Sequence, residues 1–361
     1  MVIKKKITYQ EFDSEDINHS CSNQVILPAE YDGIFVNLFT PDEFVKMHTH
    51  KVVQKAFLPS EKIKNVVVAD KTGLYTNIEM IDSTTKSLSS KGHYTIVGSK
   101  YTDENLENSC FFPWHLYFTQ YVNPQKSIEP INKKKYLADI LLGNGKPHRI
   151  DFFEQLQQHK DLLETCLVNL HQQLGINPGH VVYSSPELNL LESPNVLKIK
   201  NNNTWCSTQV IDCTDSLKHP ASAFLSQVIP EKIYQHSYLS VVSETLIDND
   251  HFFPTEKIAK PIIAGRIFLV SAGKNYLKNL KSLGFKTFDT IIDESYDQLD
   301  EFEQRNSTII AELERLQKLD IVDLYRKAMP ILQHNQQLIY SNQLWQPARE
   351  FVEQIFRKHR K

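Results

Sequence analysis

Short runs of apolar residues interrupted by polar turns set the pattern of the first third of the chain: "GIFVNLF" (33–39), "KNVVVAD" (64–70), "HYTIVGS" (93–99) and "WHLYFTQYV" (114–122). Each reads as a strand, and together they predict a first α/β domain over residues 1–130. The stretch "VNPQKSIEPINKKK" (122–135), with two prolines and a lysine cluster, has the composition of a linker. "YLADILLG" (136–143) is then almost continuously apolar, as suits a parallel strand buried on both faces. After a polar turn, "NGKPHR", the segment "IDFFEQLQQHKDLLETCLVNLHQQLG" carries Phe152, Leu156, Leu162, Leu163 and Leu167 at helical spacing.

The same strand, loop and helix recur further on. "YLSVVSE" (238–244) is followed by a helix from about Thr255 to near Gly265, by the strand "RIFLVSA" (266–272), and by a helix over "KNYLKNLKSL" (274–283) with Gly284 in a C-cap role. This alternation implies βαβ units and a parallel sheet, so residues 131–305 are expected to form a second α/β domain. Residues 306–361 are expected to form a helical segment. Leu299, Phe302, Ile309, Leu313 and Leu316 lie near a 3–4 spacing over too short a stretch for a coiled coil, and Pro330 and Pro347 are expected to interrupt the helix.

The bulk properties narrow the class. A chain of 361 residues exceeds what one hydrophobic core organises, which fits two domains. A formal net charge of -3 argues against a protein that binds nucleic acid mainly through non-specific phosphate contacts. Five scattered cysteines without a C-x-x-C pair point to free thiols rather than a disulfide framework or a zinc site. The N-terminal "MVIKKKITYQEFDSED" lacks the apolar segment of a signal peptide, and no apolar run reaches 18 residues. The expectation is a soluble, cytoplasmic protein with no membrane span.

Two loops have the address at which parallel sheets bind ligands, beyond the C-terminal ends of strands and at helix N-termini. In the first, Arg149 opens a helix, where a guanidinium can take a phosphate bidentately. In the second, Thr255 can cap a helix whose first turn holds Glu256 and Lys257. A lysine there opposes the helix dipole at a cost of roughly 0.3–1 kcal/mol if exposed, and an anionic ligand would give it a reason. Glu256 could then accept hydrogen bonds from sugar hydroxyls; the plainer reading is a solvated Glu–Lys pair on a helix surface. Pro261 should kink this helix or delay its start.

"YLSVVSETLIDNDHFFPTEKIAKPIIAGRIFLVSAGK" resembles the donor-binding motif of α1,3-fucosyltransferase-like glycosyltransferases: a strand ending in Glu-Asn, a loop, an aromatic, "TEK", a helix and an apolar strand. "ADILLGNGKPHRIDFFEQL" is similar to that family's earlier motif, and "LKSLGFKTFDTIIDESYDQLDEFEQR" to a continuation seen in viral and bacterial relatives. The resemblance spans residues 136–305. It implies two Rossmann-like domains facing a cleft (a GT-B-type fold), with residues 1–130 binding the acceptor and residues 131–305 a nucleotide-diphosphate sugar. Arg149 and Lys257 would be cations on the donor diphosphate, and Glu256 the acid on sugar or ribose hydroxyls. Glu244 matches the motif's earlier acid; Thr245 stands where the family has Asn and Phe253 where it has Tyr, so neither base nor sugar is fixed.

With two cations stabilising the departing diphosphate, an inverting transfer needs no divalent metal and no further cofactor. It does need a base for the acceptor proton, for which Asp70 and Asp82, at strand ends of the first domain, are the candidates. The acceptor is open among a glycan, a lipid-linked sugar, a protein side chain and a modified nucleobase. The alternative is a non-catalytic nucleotide-binding or interaction module of the same fold. An NAD-type oxidoreductase is disfavoured because no G-x-G-x-x-G follows a predicted strand. "DND" (248–250) matches a metal-binding D-x-D but reads as an Asx-type turn, and the "HTH" pair His48 and His50 lacks a third ligand. "FFPWHLYF" (111–118) reads as core, with His115 a candidate for the acceptor cleft, and "RKHRK" as a solvated helix end.

Overall fold

A computed structural model describes residues 23–26, 35–38, 66–69, 94–98, 100, 101, 109–128, 131–171, 181–189, 210–212, 222–224, 228–344, 346–348, 350, 351 and 354. Contacts divide the chain into two compact units, one of Met1–Trp114, Asp212–Ser222 and Gln343–Lys361, the other of His115–Ile211 and Ala223–Asn342. The sequence boundaries at 130 and 305 thus differ from the contact boundaries near 114 and 342. Asp70, Asp82, His48, His50 and the terminal "RKHRK" lie outside the described residues.

In the first unit, β1 (Asn23–Ile26) pairs antiparallel with β2 (Phe35–Leu38). Strands β3 (Val66–Ala69), β4 (Tyr94–Val97) and β5 (Ser109–Phe111) form a parallel sheet in that order. Three of the four predicted N-terminal strands coincide with β2, β3 and β4. The fourth, "WHLYFTQYV", is instead helix α1 (Trp114–Phe118) followed by a 3-10 turn over Thr119–Val122. Its aromatics are β-formers, but Pro113 precedes it and, among its residues whose burial is described, Leu116, Tyr117, Thr119 and Gln120 are buried, a helical rather than alternating pattern.

The second unit is built on a mixed five-stranded sheet: β6 (Tyr136–Asn144), β7 (Cys166–His171), β8 (Val181–Ser184), β9 (Ser237–Ser243) and β10 (Phe268–Ser271). The spatial order is β8-β7-β6-β9-β10, with β8 antiparallel and the rest parallel. Chain order therefore runs outward from β6 in one direction as far as β8, then reverses through β9 to β10. The reversal falls between the C-terminal ends of β6 and β9, the place where open α/β sheets bind ligands.

Strands β6, β9 and β10 fall where the apolar runs predicted. Strand β7 does not: the expected single helix after β6 is two short helices, α2 (Pro147–Leu156) and α3 (Lys160–Glu164), and Leu167 lies on β7. All six residues of β7 are buried, as two-sided cover by a sheet interior demands, and two of them, Asn169 and His171, are polar. The thiol of Cys166 in this strand is pushed up to about 12 by burial, and both Cys110 and Cys166 are free.

Helix α4 (Glu231–His236) leads into β9. Helix α5 (Glu256–Ile263) starts where predicted and runs through Pro261, with the hydroxyl of Thr255 accepting from the Lys257 N–H at 3.2 Å. Helix α6 (Tyr276–Ser282) ends ahead of Gly284, whose φ of 94° lies in the left-handed region glycine tolerates. Gly273 serves a different need, because a Cβ there would meet the Asp248 carbonyl oxygen at 2.1 Å.

Helix α7 (Phe302–Gln317) buries Ile309, Leu313 and Leu316, three of the five positions picked from the sequence. Helix α8 (Ile321–Tyr340) contains Pro330 in its interior, so the expected interruption there is corrected: the break falls before Asp320, which caps α8 by accepting from the N–H groups of Val322 and Asp323. Burial of Ala328 and Leu332 on either side of Pro330 offsets the lost backbone bond. Among the described residues, no helix is long and apolar enough to cross a membrane.

Candidate functional site

The residues at the end of β9, Ser243–Glu244–Thr245, organise the sheet at that reversal. The Arg149 guanidinium reaches them from α2: Nη2 donates to the carbonyls of Ser243 and Glu244, both at 3.1 Å, and Nε to the Ser243 hydroxyl at 3.3 Å. Its Nη1 donates to the Asn144 carbonyl at the end of β6, at 3.2 Å. Arg149 is 4% exposed and so laces β6 to β9 across the reversal of strand order. Burial pulls its pKa down to about 10 against the support of Glu244 and Glu256. Beside it, His148 Nε2 lies 3.2 Å from the Glu244 carbonyl, which can only accept, so that nitrogen carries the proton. Burial, and then the Arg149 charge, holds this imidazole well below its ordinary pKa.

Glu244 is fully buried and ties β9 to α5. Its Oε1 accepts from the Thr255 N–H at 3.1 Å and the Tyr276 hydroxyl at 2.8 Å; Oε2 accepts from the Thr255 hydroxyl at 2.6 Å and the Thr245 N–H at 3.3 Å. With its proton given to Glu244, the Thr255 oxygen is an acceptor only. It faces the Lys257 N–H and, at 3.4 Å, the Lys257 ammonium.

Two lysines converge on Thr245. Lys257 Nζ donates to its hydroxyl at 3.0 Å, and Lys146 Nζ donates to its carbonyl at 2.9 Å. Lys257 also pairs with Glu256 at 2.7 Å, which answers much of the dipole penalty expected of a lysine in the first turn of α5. Burial pulls Lys146 down to about 7, with Arg149 and Lys257 lowering it further against the pull of Glu244. Lys260, on the same helix as Lys257, is buried and lowered to about 8, first by desolvation.

Burial would raise the Glu256 carboxyl, but Lys257 and Lys260 outweigh it and hold its pKa near 2. A carboxylate whose folded pKa lies below its unfolded value adds stability above the unfolded value, near 4.5, and loses it as pH falls toward 2. Acid titration of stability followed by circular dichroism should show this loss between about pH 4.5 and 2, and Glu256→Gln should flatten it. An unchanged slope in the variant would contradict the environment assigned to Glu256.

Arg149, Glu244, Thr245, Glu256 and Lys257 are thus brought to one end of the sheet. Phe253 is buried as well, its ring edge-on to His115 with centroids 5.4 Å apart. The "DND" stretch forms an Asx-type turn in which the Asp248 carboxylate accepts from the Asp250 N–H at 3.0 Å, while Asn249 accepts from Lys274 and Arg305. Sequence reasoning passed over Lys146, Lys260 and Tyr276. For Lys146 the available signal was its place directly before Pro147, in the loop that also holds Arg149. No protein-family model matches the chain, and no curated protein matches it.

Proposed function

We propose that this chain is a glycosyltransferase that takes a sugar from a nucleotide-diphosphate sugar, with inversion and without a divalent metal, and that the donor diphosphate sits at the end of β6 and β9. One observation carries the reading: at the reversal of strand order, Lys146, Arg149 and Lys257 converge on Ser243–Thr245, and with Lys260 they outnumber Glu244 and Glu256, Asp139 being paired with Arg266. A partly desolvated site with excess positive charge favours an anion, and fixed cations stabilise the charge that grows on a departing diphosphate. Glu256 would accept from sugar-side hydroxyls. Arg149, committed to main-chain oxygens, would act as a positioning residue.

In this scheme a second Rossmann-like domain from the first 130 residues completes a GT-B-type cleft and contributes the base, Asp70 or Asp82. The burial of Arg149 withholds one of the two cations expected to stabilise the departing diphosphate, and so favours a second reading, a non-catalytic nucleotide-binding or interaction module. Hydrolysis of a donor sugar in the absence of acceptor would reject that second reading.

Thermal-shift screening against a panel of nucleotide-diphosphate sugars should find one that raises the melting temperature. Lys257→Ala should then weaken that donor by about 10- to 150-fold in calorimetry, the loss of one charge-assisted contact. Undiminished affinity would overturn the donor assignment.

A further inference from the structure

Lys146 belongs to no motif picked from the sequence, yet its backbone is firmly held and its side chain reaches the end of β9. Its backbone is extended, with φ -95° and ψ 158°, as the following Pro147 requires. Its carbonyl accepts from the N–H groups of Arg149 and Ile150, both at 2.9 Å, and the N–H of the preceding Gly145 donates to the His171 carbonyl. A Cβ on Gly145 would meet that carbonyl oxygen at 2.9 Å, so this loop is pressed against the end of β7. The stem of Lys146 thus starts from a fixed point and ends on the Thr245 carbonyl.

We propose that Lys146 is the second ammonium of the diphosphate seat, so that the anion is held by two lysines that meet at Thr245 while Arg149 positions the peptide between them. The inference rests on reading the site as a nucleotide-diphosphate seat, and it adds to that seat a binding residue. Two ammonium groups bonded to one residue, one on its carbonyl and one on its hydroxyl, are arranged as a chelating pair. A neutral side chain would satisfy the Thr245 carbonyl at lower desolvation cost, so a lysine beside Arg149 and Lys257 is a poor structural choice and a good anion ligand.

The titratable groups around Lys146 are Arg149 and the neutral His148 on α2, Glu244 at the end of β9, and Lys257 on α5. Being lowered to about 7, Lys146 is mostly neutral at pH 8, and an incoming anion raises its pKa so that it takes a proton from solvent. Binding should therefore take up a proton.

Titration of the full chain with inorganic pyrophosphate at pH 8, in buffers of differing ionisation enthalpy, reads this directly. Wild type should take up roughly one proton more per pyrophosphate than either Lys146→Met or Lys146→Arg. Lys146→Met should bind at least about tenfold more weakly, and Lys146→Arg should keep its affinity because its charge is permanent. Wild-type affinity and proton uptake in Lys146→Met would overturn the proposal. If that variant does not fold, Lys146→Gln takes its place, and wild-type affinity there overturns the proposal. Loss of binding in Lys257→Ala with none in Lys146→Met sinks the role of Lys146 and spares the donor site. Failure of wild type to bind pyrophosphate or any nucleotide sugar sinks both.

Discussion

Asp139→Ala is expected to lower the stability of the second unit by about 3–5 kcal/mol, the usual cost of stranding one member of a buried ion pair. Asp139 lies on β6 opposite Ser240 of β9, and it and Arg266 have side chains only 4% exposed. Its Oδ1 accepts from Arg266 Nη2 at 2.6 Å and from the hydroxyls of Ser237 at 2.8 Å and Ser240 at 3.1 Å. Arg266 also donates to the carbonyls of Tyr234, Ser237 and Leu239, and its guanidinium lies 4.1 Å from the centroid of the Tyr234 ring. Those carbonyl bonds hold the guanidinium in place after the carboxylate is gone, so an uncompensated charge remains inside the sheet. Replacing both residues by apolar ones should recover much of the loss, since desolvation of the pair disappears with it. Denaturant unfolding of the single and double variants provides the comparison. A single variant within about 1 kcal/mol of wild type would refute this account of the pair.

Glu244→Ala is the second large effect. Removing this carboxylate orphans the buried Thr255 N–H group and Tyr276 hydroxyl and the half-buried Thr245 N–H group, a cost of about 3–5 kcal/mol at typical values for unsatisfied donors. Binding of the donor should fall below detection, because the start of α5 loses its tie to β9. Glu244→Gln separates the two roles. It keeps the shape and one oxygen, so the chain should fold, but its amide donates where Oε2 now accepts. The Thr255 hydroxyl must then turn its proton elsewhere, and Lys257 loses an oriented acceptor. The expected result is near-native unfolding with donor affinity weakened by about tenfold or more. A Gln variant with native affinity would show that the orientation of Thr255 is irrelevant to the site.

Much of this was legible from residue order alone, for identifiable reasons. Strands β6, β9 and β10 are covered on both faces, and that requirement writes itself as an apolar run. Thr255 and Gly284 are punctuation whose side-chain chemistry fixes their places. Strand β7 was hidden because it follows α3 without a glycine or proline and carries Asn169 and His171 in its buried run. "WHLYFTQYV" was misassigned because aromatic residues serve either structure and only the burial pattern decides. At the site, Glu244, Glu256 and Lys257 could be found because their partners are side chains of a recognisable string. Arg149 could be picked as a residue but not for its partners, because it and Lys146 bond mainly to main-chain oxygens of residues about a hundred positions away, and a carbonyl has no letter in a sequence.

The late helices bear on how the molecule comes into being. Asn306 of α7 bridges the His148 carbonyl, the Asp151 carboxylate and the Ser271 hydroxyl. On α8, Gln336 donates to the Ile263 carbonyl at the end of α5, and the Tyr325 hydroxyl bonds the Tyr238 carbonyl. A nascent chain leaving the ribosome thus emits both binding loops long before the helices that brace them. The end of the sheet is fully braced only once α7 and α8 are in place, so this half of the polypeptide consolidates late rather than strand by strand.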